Sequence, residues 1–254
     1  MCLINFQVND HPNYKLIIAA NRDEFYERPT APAQFWDEEP NILAGQDLLQ
    51  KGTWLGISKN GRFAALTNYR DPDHMKKGEL SRGEIVKDYL TADQSPEEHL
   101  QHLKERRKDY VGFNVLFGTP DRLFHYNNVL EETTEIEPGT HGLSNATLNT
   151  PWPKVIKGKK QLREYVEGQN KMDPAQLFSI VADAEEADDS SLPETGIGLE
   201  LERKLSSLFI KTPEYGTRSS TVLLVDKQNN VTFLERTFSK GEFKDEKRFD
   251  FKIS

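Results

Sequence analysis

Apolar residues in the N-terminal quarter of the chain form short runs that end at polar residues. Residues 16–20 are all apolar, and the four residues that follow, 21–24, are all polar. This pattern predicts a buried strand that carries polar side chains at its end. Two further runs, residues 53–58 and 62–68, flank Asn60-Gly61, which predicts a β-hairpin. We therefore expect residues 1–70 to consist of strands and turns.

Helix start signals appear in the middle of the chain. Ser81 with Glu84, and Ser95 with Glu98, have the spacing of capping boxes, and Asp173 directly precedes a proline. Helices are predicted from these three starts, the second reaching about residue 108, and also over residues 153–166 and 199–209. Strands are predicted at 112–118, 123–127, 142–145, 220–226, 231–237 and 242–251. Strands, then helices, then strands favour a layered fold with antiparallel sheets, formed by one domain over residues 1–254.

Composition narrows the function classes. The chain has 254 residues and a formal net charge of −8, which argues against a nucleic-acid partner and against binding to anionic membrane. No apolar run is long enough to insert into a membrane, and the N-terminus lacks the pattern of a secretory signal. One cysteine excludes an internal disulfide framework. We expect a cytoplasmic protein; the sequence does not fix its oligomeric state.

That single cysteine is Cys2, which becomes the N-terminal residue once Met1 is removed. This is the placement that an N-terminal nucleophile needs, because the thiol can attack while its own α-amine accepts the proton. The amine has an ordinary pKa of about 7.7–8.0, so it can act as a base near neutral pH. The alternative is that Cys2 is a small, half-buried apolar residue in a first strand.

Several polar residues stand where predicted strands end. A hairpin that pairs residues 2–8 with 15–21 would bring Asn21, Arg22 and Asp23 near Cys2. Successive strand residues point to opposite faces, so Arg22 and Asp23 need not both face the cysteine. Alternatively, these residues form a strand-end turn with surface charges.

Two asparagines and an arginine stand in comparable positions. Asn68 and Asn145 each follow a predicted strand, and an asparagine amide can stabilise an oxyanion, although asparagine is also a common turn former. Arg218 comes just before the apolar run 222–225, where it lies either in an exposed turn or in a cleft.

Other candidates point to structure rather than chemistry. The six histidines show no metal-ligand spacing, and we expect His99 and His102 at the surface and no metal or other cofactor. The glycines of the segment 52–56 lack the lysine of a phosphate-binding loop and are expected to permit close backbone approach beside a site. A basic stretch begins at Lys154 and ends at Arg163, and it predicts a solvated helix face or a surface that attracts a phosphorylated ligand.

Seven short segments carry a family resemblance. They are Met1-Cys2-Leu3, Ala20-Asn21-Arg22-Asp23-Glu24, Gly52-Thr53-Trp54-Leu55-Gly56, Thr67-Asn68-Tyr69-Arg70, Ser81-Arg82-Gly83, His141-Gly142-Leu143-Ser144-Asn145 and Gly216-Thr217-Arg218-Ser219-Ser220-Thr221. Together they resemble the NRDE family, also called the transport and Golgi organisation 2-like family, over essentially the whole chain. The resemblance implies roles proposed for that family in Golgi organisation, haem trafficking and acyl-CoA or lipid metabolism. It implies no settled reaction.

A more distant resemblance is to the choloylglycine hydrolase and penicillin V acylase group of N-terminal-nucleophile (Ntn) hydrolases. It implies an α+β fold, a four-layer αββα sandwich with mostly antiparallel sheets. It also implies a catalytic set in which Cys2 is the nucleophile and Asp23 contacts its amine. The remaining members of that set are two oxyanion positions and a late arginine, namely Asn68, Asn145 and Arg218. One departure from the group is that Arg22 directly precedes Asp23, whereas the group separates the two residue types by about three positions.

Two functions follow from these observations. The first is an amidohydrolase of the N-terminal-nucleophile type that cleaves a linear amide or thioester. The second is a non-catalytic carrier of a small acyl or haem-like ligand, such as an acyl-CoA, with Cys2 as a wall residue or thiolate ligand. In either case four neighbouring residues are expected to contact the bound molecule: Asn21, Arg22, Trp54 and Tyr69.

Overall fold

Thirteen strands and five helices make up the regular structure of the described part of the chain. The computed structural model describes residues 2–70 and 80–254, so Met1 lies outside the described residues. The strands are β1 (Cys2–Val8), β2 (Tyr14–Phe25), β3 (Thr30–Phe35), β4 (Ile42–Asp47), β5 (Leu55–Ser58), β6 (Phe63–Asn68), β7 (Phe113–Thr119), β8 (Arg122–Asn127), β9 (Glu132–Glu135), β10 (Gly139–Leu143), β11 (Tyr215–Asp226), β12 (Asn230–Ser239) and β13 (Glu242–Lys252). The helices are α1 (Arg82–Thr91), α2 (Pro96–Glu105), α3 (Pro153–Glu167), α4 (Pro174–Val181) and α5 (Leu199–Lys204).

The strands pair into two antiparallel sheets. One has six strands in the order β10-β1-β2-β11-β12-β13, and the other has seven in the order β3 to β9. Alternate residues of β1 point to opposite faces of the first sheet, as the strand period of two requires. Ile4 and Phe6 belong to an apolar cluster with Phe63 of the second sheet, whereas Leu3 packs with Leu162 of α3. The two sheets therefore lie face to face.

Helices cover both outer faces. Residues of α1, including Val86 and Tyr89, form a cluster with Ala64 and Leu66 on the outside of the seven-stranded sheet. Residues of α3 and α4 form the matching cluster on the outside of the six-stranded sheet. Three apolar clusters thus separate four layers, and the expected αββα sandwich is confirmed. No helix in the described ranges is long and apolar enough to cross a bilayer.

The element predictions hold where local signals are strong. The Asn60-Gly61 hairpin joins β5 to β6, and the capping box at Ser95 forms with both of its hydrogen bonds. The capping box at Ser81 does not form, although α1 begins there, because the Ser81 hydroxyl donates instead to Gln50 Oε1 at 3.1 Å. Tertiary contact replaces the local bond. The last predicted helix is also wrong in length, since α5 ends at Lys204.

Two surface expectations are wrong. His99 is 3% exposed, and its ring packs against Tyr89 and Phe117 under the outer helices. Lys154, the first lysine of the basic stretch, is 2% exposed, although Lys160 further along α3 is largely exposed. The helix turns Lys154 toward the sheet, so the charge pattern alone could not separate it from the solvated lysines.

Candidate active site

A cleft of about 490 Å³ lies between the two sheets at the end of the sandwich where β1 begins. Cys2, Arg22, Ser219 and Thr237 are register partners across β1, β2, β11 and β12, and all four line the cleft. Directly paired strand residues share one face of a sheet. One row of side chains from the six-stranded sheet therefore forms a wall of the cleft, with the thiol at one end.

Cys2 is 8% exposed at this wall. Burial raises its pKa above the ordinary value, while the charge of Arg22 and the backbone N–H of Asp23 act in the opposite direction. The expected pairing of the first two strands is confirmed, but its register is shifted by one residue: residues 2–8 lie opposite 16–22 rather than 15–21, so Cys2 pairs with Arg22 and not with Asn21. The nucleophile candidate is thus held at the cleft, but its environment keeps the thiol protonated unless a base is close.

Asp23 lines the same cleft as Arg22, although the two are successive strand residues. The Thr217 hydroxyl donates to Asp23 Oδ1 at 2.7 Å, and the Tyr215 hydroxyl donates to its backbone oxygen at 3.0 Å. Burial raises the pKa of the Asp23 carboxyl, and the positive charge of Lys154 counteracts this. The carboxyl is therefore fixed in place beside the start of β1.

Arg218 occupies a β-bulge in β11, the extra residue between the pairs Thr217–Asp23 and Ser219–Arg22. The bulge lets both neighbours pair with β2 while the arginine side chain lines the cleft. Its guanidinium donates to the backbone oxygens of Phe25 at 2.7 Å and Arg28 at 3.0 Å. In this geometry Arg218 braces the connection from β2 to β3.

The two asparagines lie together, but only one reaches the cleft. Asn68 lines it. Asn145 is fully buried behind it and donates from Nδ2 to the Asn68 backbone oxygen at 2.9 Å. The adjacent Ser144 hydroxyl donates to the Cys2 backbone oxygen at 3.0 Å. Asn145 thus lies beside the site without lining the cleft, and its oxyanion role stays a prediction.

The expected substrate contacts divide in the same way. Arg22 and Trp54 line the cleft, whereas Asn21 and Tyr69 do not. Asn21 faces the helical layer, where its amide donates to the backbone oxygens of Val181 and Leu208 at 2.7 and 2.8 Å. The expectation that Asn21 contacts substrate is therefore corrected, because strand alternation turns it away from Cys2.

Several residues that line the cleft were not predicted as site residues, and two of them are Arg82 and Glu235. Arg82, at the start of α1, lines the cleft and interacts electrostatically with Cys2; burial lowers the pKa of its guanidinium. The sequence signal was present in the Ser81-Arg82-Gly83 segment. The close approach expected from the glycines is confirmed at Gly52, because a Cβ there would lie 2.5 Å from the backbone carbon of Gly83.

The second missed residue is Glu235 of β12. It is 3% exposed and lines the cleft, and its Oε1 accepts the Ala33 backbone N–H at 2.6 Å. Burial raises the pKa of this carboxyl to about 7. Nothing in the local sequence distinguishes it, since it alternates within an ordinary strand.

Metal-ligating side chains do not gather at this site. Over residues 2–70 and 80–254, no group of three or more histidine, cysteine, aspartate or glutamate side chains could hold an ion.

Comparison with known proteins places this geometry in a family. The family model described as Transport and Golgi organisation 2 matches residues 1–240. The chain belongs to the Transport and Golgi organisation 2 family. The Transport and Golgi organization protein 2 homologs of Bos taurus and Homo sapiens are 39% and 38% identical to it, over 261 and 259 residues. Each alignment covers 93% of this chain and 93% of the relative.

Solved structures are similar in fold at low sequence identity. The N-acylethanolamine-hydrolyzing acid amidase ortholog of Caenorhabditis elegans has a TM-score of 0.53 at 11% identity, covering 88% of this chain and 92% of that one. A mutant conjugated bile acid hydrolase from Clostridium perfringens has a TM-score of 0.52 at 9% identity, covering 99% and 98%. These likenesses show that the chain has the fold of the N-terminal-nucleophile hydrolases.

Proposed function

We propose that this protein is a cysteine hydrolase that cleaves a linear amide or thioester, with Cys2 as the nucleophile after removal of Met1. The observation that carries the proposal is the place of the thiol. The chain's only cysteine starts strand β1 and lines a cleft between two sheets. A nucleophile at the start of a strand can carry its own amine into the site, which a cysteine elsewhere could not.

The base is the α-amine of Cys2. Burial raises the pKa of the thiol, so attack at neutral pH requires proton removal. No histidine of the described ranges lines the cleft. The α-amine, with an ordinary pKa of about 7.7–8.0, is chemically suited to accept that proton.

The reaction has two steps in this proposal. Sγ of Cys2 attacks the substrate carbonyl carbon while the thiol proton passes to the α-amine nitrogen. The tetrahedral intermediate then collapses, the carbon–nitrogen or carbon–sulfur bond of the substrate breaks, and the amine returns the proton to the leaving group. Water next attacks the acyl-cysteine thioester, again with the amine as base, and releases a carboxylic acid and the free thiol.

The surrounding residues take supporting roles. Asp23 orients the amine, and the cations Arg22 and Arg82 favour the thiolate. Donors near Asn68 and Asn145 stabilise the oxyanion. The likeness to proteins named as an amidase and a bile acid hydrolase supports carbon–nitrogen cleavage, without naming a substrate for this chain.

Turnover of a panel of N-acyl amides and acyl thioesters by the mature protein tests this function. Hydrolysis is expected for the unaltered protein and is expected to fall by at least about 10³-fold in Cys2→Ala, because the nucleophile is lost. Ser239→Ala changes a polar residue at the edge of the same cleft and serves as the matched control. Stoichiometric ligand binding with no turnover of any panel member would instead support the carrier function.

A further inference from the structure

Lys154 is a buried lysine in the first turn of α3, within electrostatic reach of the cleft residues. It is 2% exposed, and its Nζ has no hydrogen-bond partner among residues 2–70 and 80–254. It does not line the cleft. None of the chemistry described above uses it.

This placement is unfavourable for a lysine in two respects. A lysine is almost never fully buried unless it is paired, because an ammonium loses its hydration in the interior. The first turn of a helix also carries a partial positive charge, which disfavours a cation. Both costs call for a compensating anionic environment.

Four charged or titratable groups act on the Lys154 ammonium. Asp23 of β2 and Glu202 of α5 favour the charged form, as does the Cys2 thiolate of β1, while Arg70 opposes it. Burial is the largest influence and lowers the pKa of Lys154 to about 8, which leaves the amine mostly protonated at neutral pH. Glu202 is already engaged by Arg70 through an ion pair of 2.6 Å. Asp23 and Cys2 are the two of these four groups that line the cleft.

We propose that Lys154 is a positioning residue of the Cys2 site. Its positive charge offsets the negative charge of Asp23 and stabilises the Cys2 thiolate. The catalytic consequence rests on the proposed function. An aspartate beside an amine favours the ammonium form, which cannot accept a proton. The Lys154 ammonium nearby acts against that preference, because a second positive charge disfavours protonation of the α-amine. Asp23 can therefore orient the α-amine while the amine remains a neutral base.

Three cations on three different elements act electrostatically on Cys2. Arg22 lies on β2, Arg82 at the start of α1, and Lys154 at the start of α3. Burial and the charge of Asp23 oppose thiolate formation. Arg22 and Arg82 line the cleft, whereas Lys154 does not. Removing it should therefore change the proton balance at Cys2 without altering the lining of the cleft.

The pH dependence of Cys2 alkylation by iodoacetamide tests the inference on the mature protein. Because Cys2 is the only cysteine, all alkylation reports on this thiol. Lys154→Met should raise the pH at which the alkylation rate is half-maximal by about one pH unit. At pH values below both midpoints, the alkylation rate should then be roughly tenfold lower than in the unaltered protein. Lys154→Arg keeps the charge and should stay within about threefold of the unaltered protein. Lys160→Met removes an exposed charge from the same helix and should change nothing.

The outcomes separate this inference from the proposed function, because alkylation requires no turnover. An unchanged profile in Lys154→Met overturns the inference whether or not the protein hydrolyses a substrate. A Lys154→Arg variant that is folded yet behaves like Lys154→Met also overturns it, since that result makes Lys154 a proton acceptor rather than a fixed charge. A shifted profile in a protein that hydrolyses nothing supports the electrostatic role while the hydrolase proposal fails.

A second measurement does not depend on whether the uncharged variant Lys154→Met folds. In the unaltered protein with ¹³C-labelled lysine, one lysine side chain should titrate with a midpoint near pH 8, the pKa to which burial lowers Lys154. That resonance should be absent from Lys154→Arg. If every lysine titrates in the ordinary range near 10.4, the ammonium is not held in the environment described and the inference fails.

Discussion

Replacing Glu235 by glutamine is expected to remove a pH-dependent loss of stability from the fold. The Glu235 carboxyl is buried against the second sheet, and burial raises its pKa from 4.5 to about 7. Between these two values the native state binds more protons than the unfolded state. The free energy of unfolding therefore falls as the pH rises through this window, and the full loss is reached above about pH 7.

The magnitude follows from the two pKa values. A difference of about 2.5 in pKa, from 4.5 to about 7, corresponds to about 3 kcal/mol. Glutamine has nearly the same shape, and its carbonyl can accept the Ala33 N–H that Oε1 accepts now. Glu235→Gln should therefore match the unaltered protein near pH 4.5 and be more stable by about 2–3 kcal/mol at pH 8.

Urea unfolding of both proteins at pH 4.5, 6 and 8 measures this difference directly. Glu38→Gln, which removes an exposed carboxyl from the β3–β4 connection, is the matched control and should keep the pH dependence of the unaltered protein. If Glu235→Gln loses the same stability between pH 4.5 and 8 as the unaltered protein, Glu235 does not carry the buried charge, and the reasoning is refuted.

Two further predictions concern packing around the site. Thr217→Val removes a buried hydroxyl that both donates and accepts a hydrogen bond, so it should cost about 1–3 kcal/mol in urea unfolding. Thr221→Val on the same strand should be neutral or stabilising, because its buried hydroxyl has no partner in the described ranges; equal losses would contradict the hydrogen-bond argument. Gly52→Ala places a methyl group 2.5 Å from the Gly83 backbone and should cost about 1–3 kcal/mol, seen as a lower Tm. Gly168→Ala, whose nearest contacts would be 3.7 Å away, should leave the Tm unchanged; a similar fall in both would refute the clash.

Local signals in the sequence were sufficient for much of the fold. The Asn-Gly turn determines its own hairpin, and Ser95 with Glu98 forms the predicted cap, because both depend on residues only a few positions apart. Strand β9 (Glu132–Glu135) was missed because all four of its residues are exposed and polar, so no alternation marks it. The Ser81 hydroxyl does not cap α1 but donates to Gln50, a residue 31 positions away. Such competition between local and distant bonds is not visible in sequence.

For the candidate site too, some features could be predicted from the sequence and others could not. The pairing of the first two strands could be predicted, but the register that puts Arg22 opposite Cys2 could not, because it differs by one residue from the expected register. The bulge that turns Arg218 into the cleft, and the burial of Lys154, depend on how sheets and helices meet, which no local pattern encodes. The orientation of Asn21 could not be predicted either, because a shift of one residue in the register moves a side chain from the cleft face of the sheet to the face that packs against the helices.

The central claim is that the free α-amine of Cys2 activates its thiol. It is tested most directly by comparing the mature protein with a form that carries one glutamine inserted between Met1 and Cys2. The insertion blocks methionine removal and leaves the Cys2 nitrogen in a peptide bond. Intact mass confirms each form, and amide or thioester hydrolysis is then followed together with the mass of the acyl-cysteine adduct. We predict turnover and a Cys2 adduct in the mature protein and neither in the extended form; equal turnover in both forms would contradict the account.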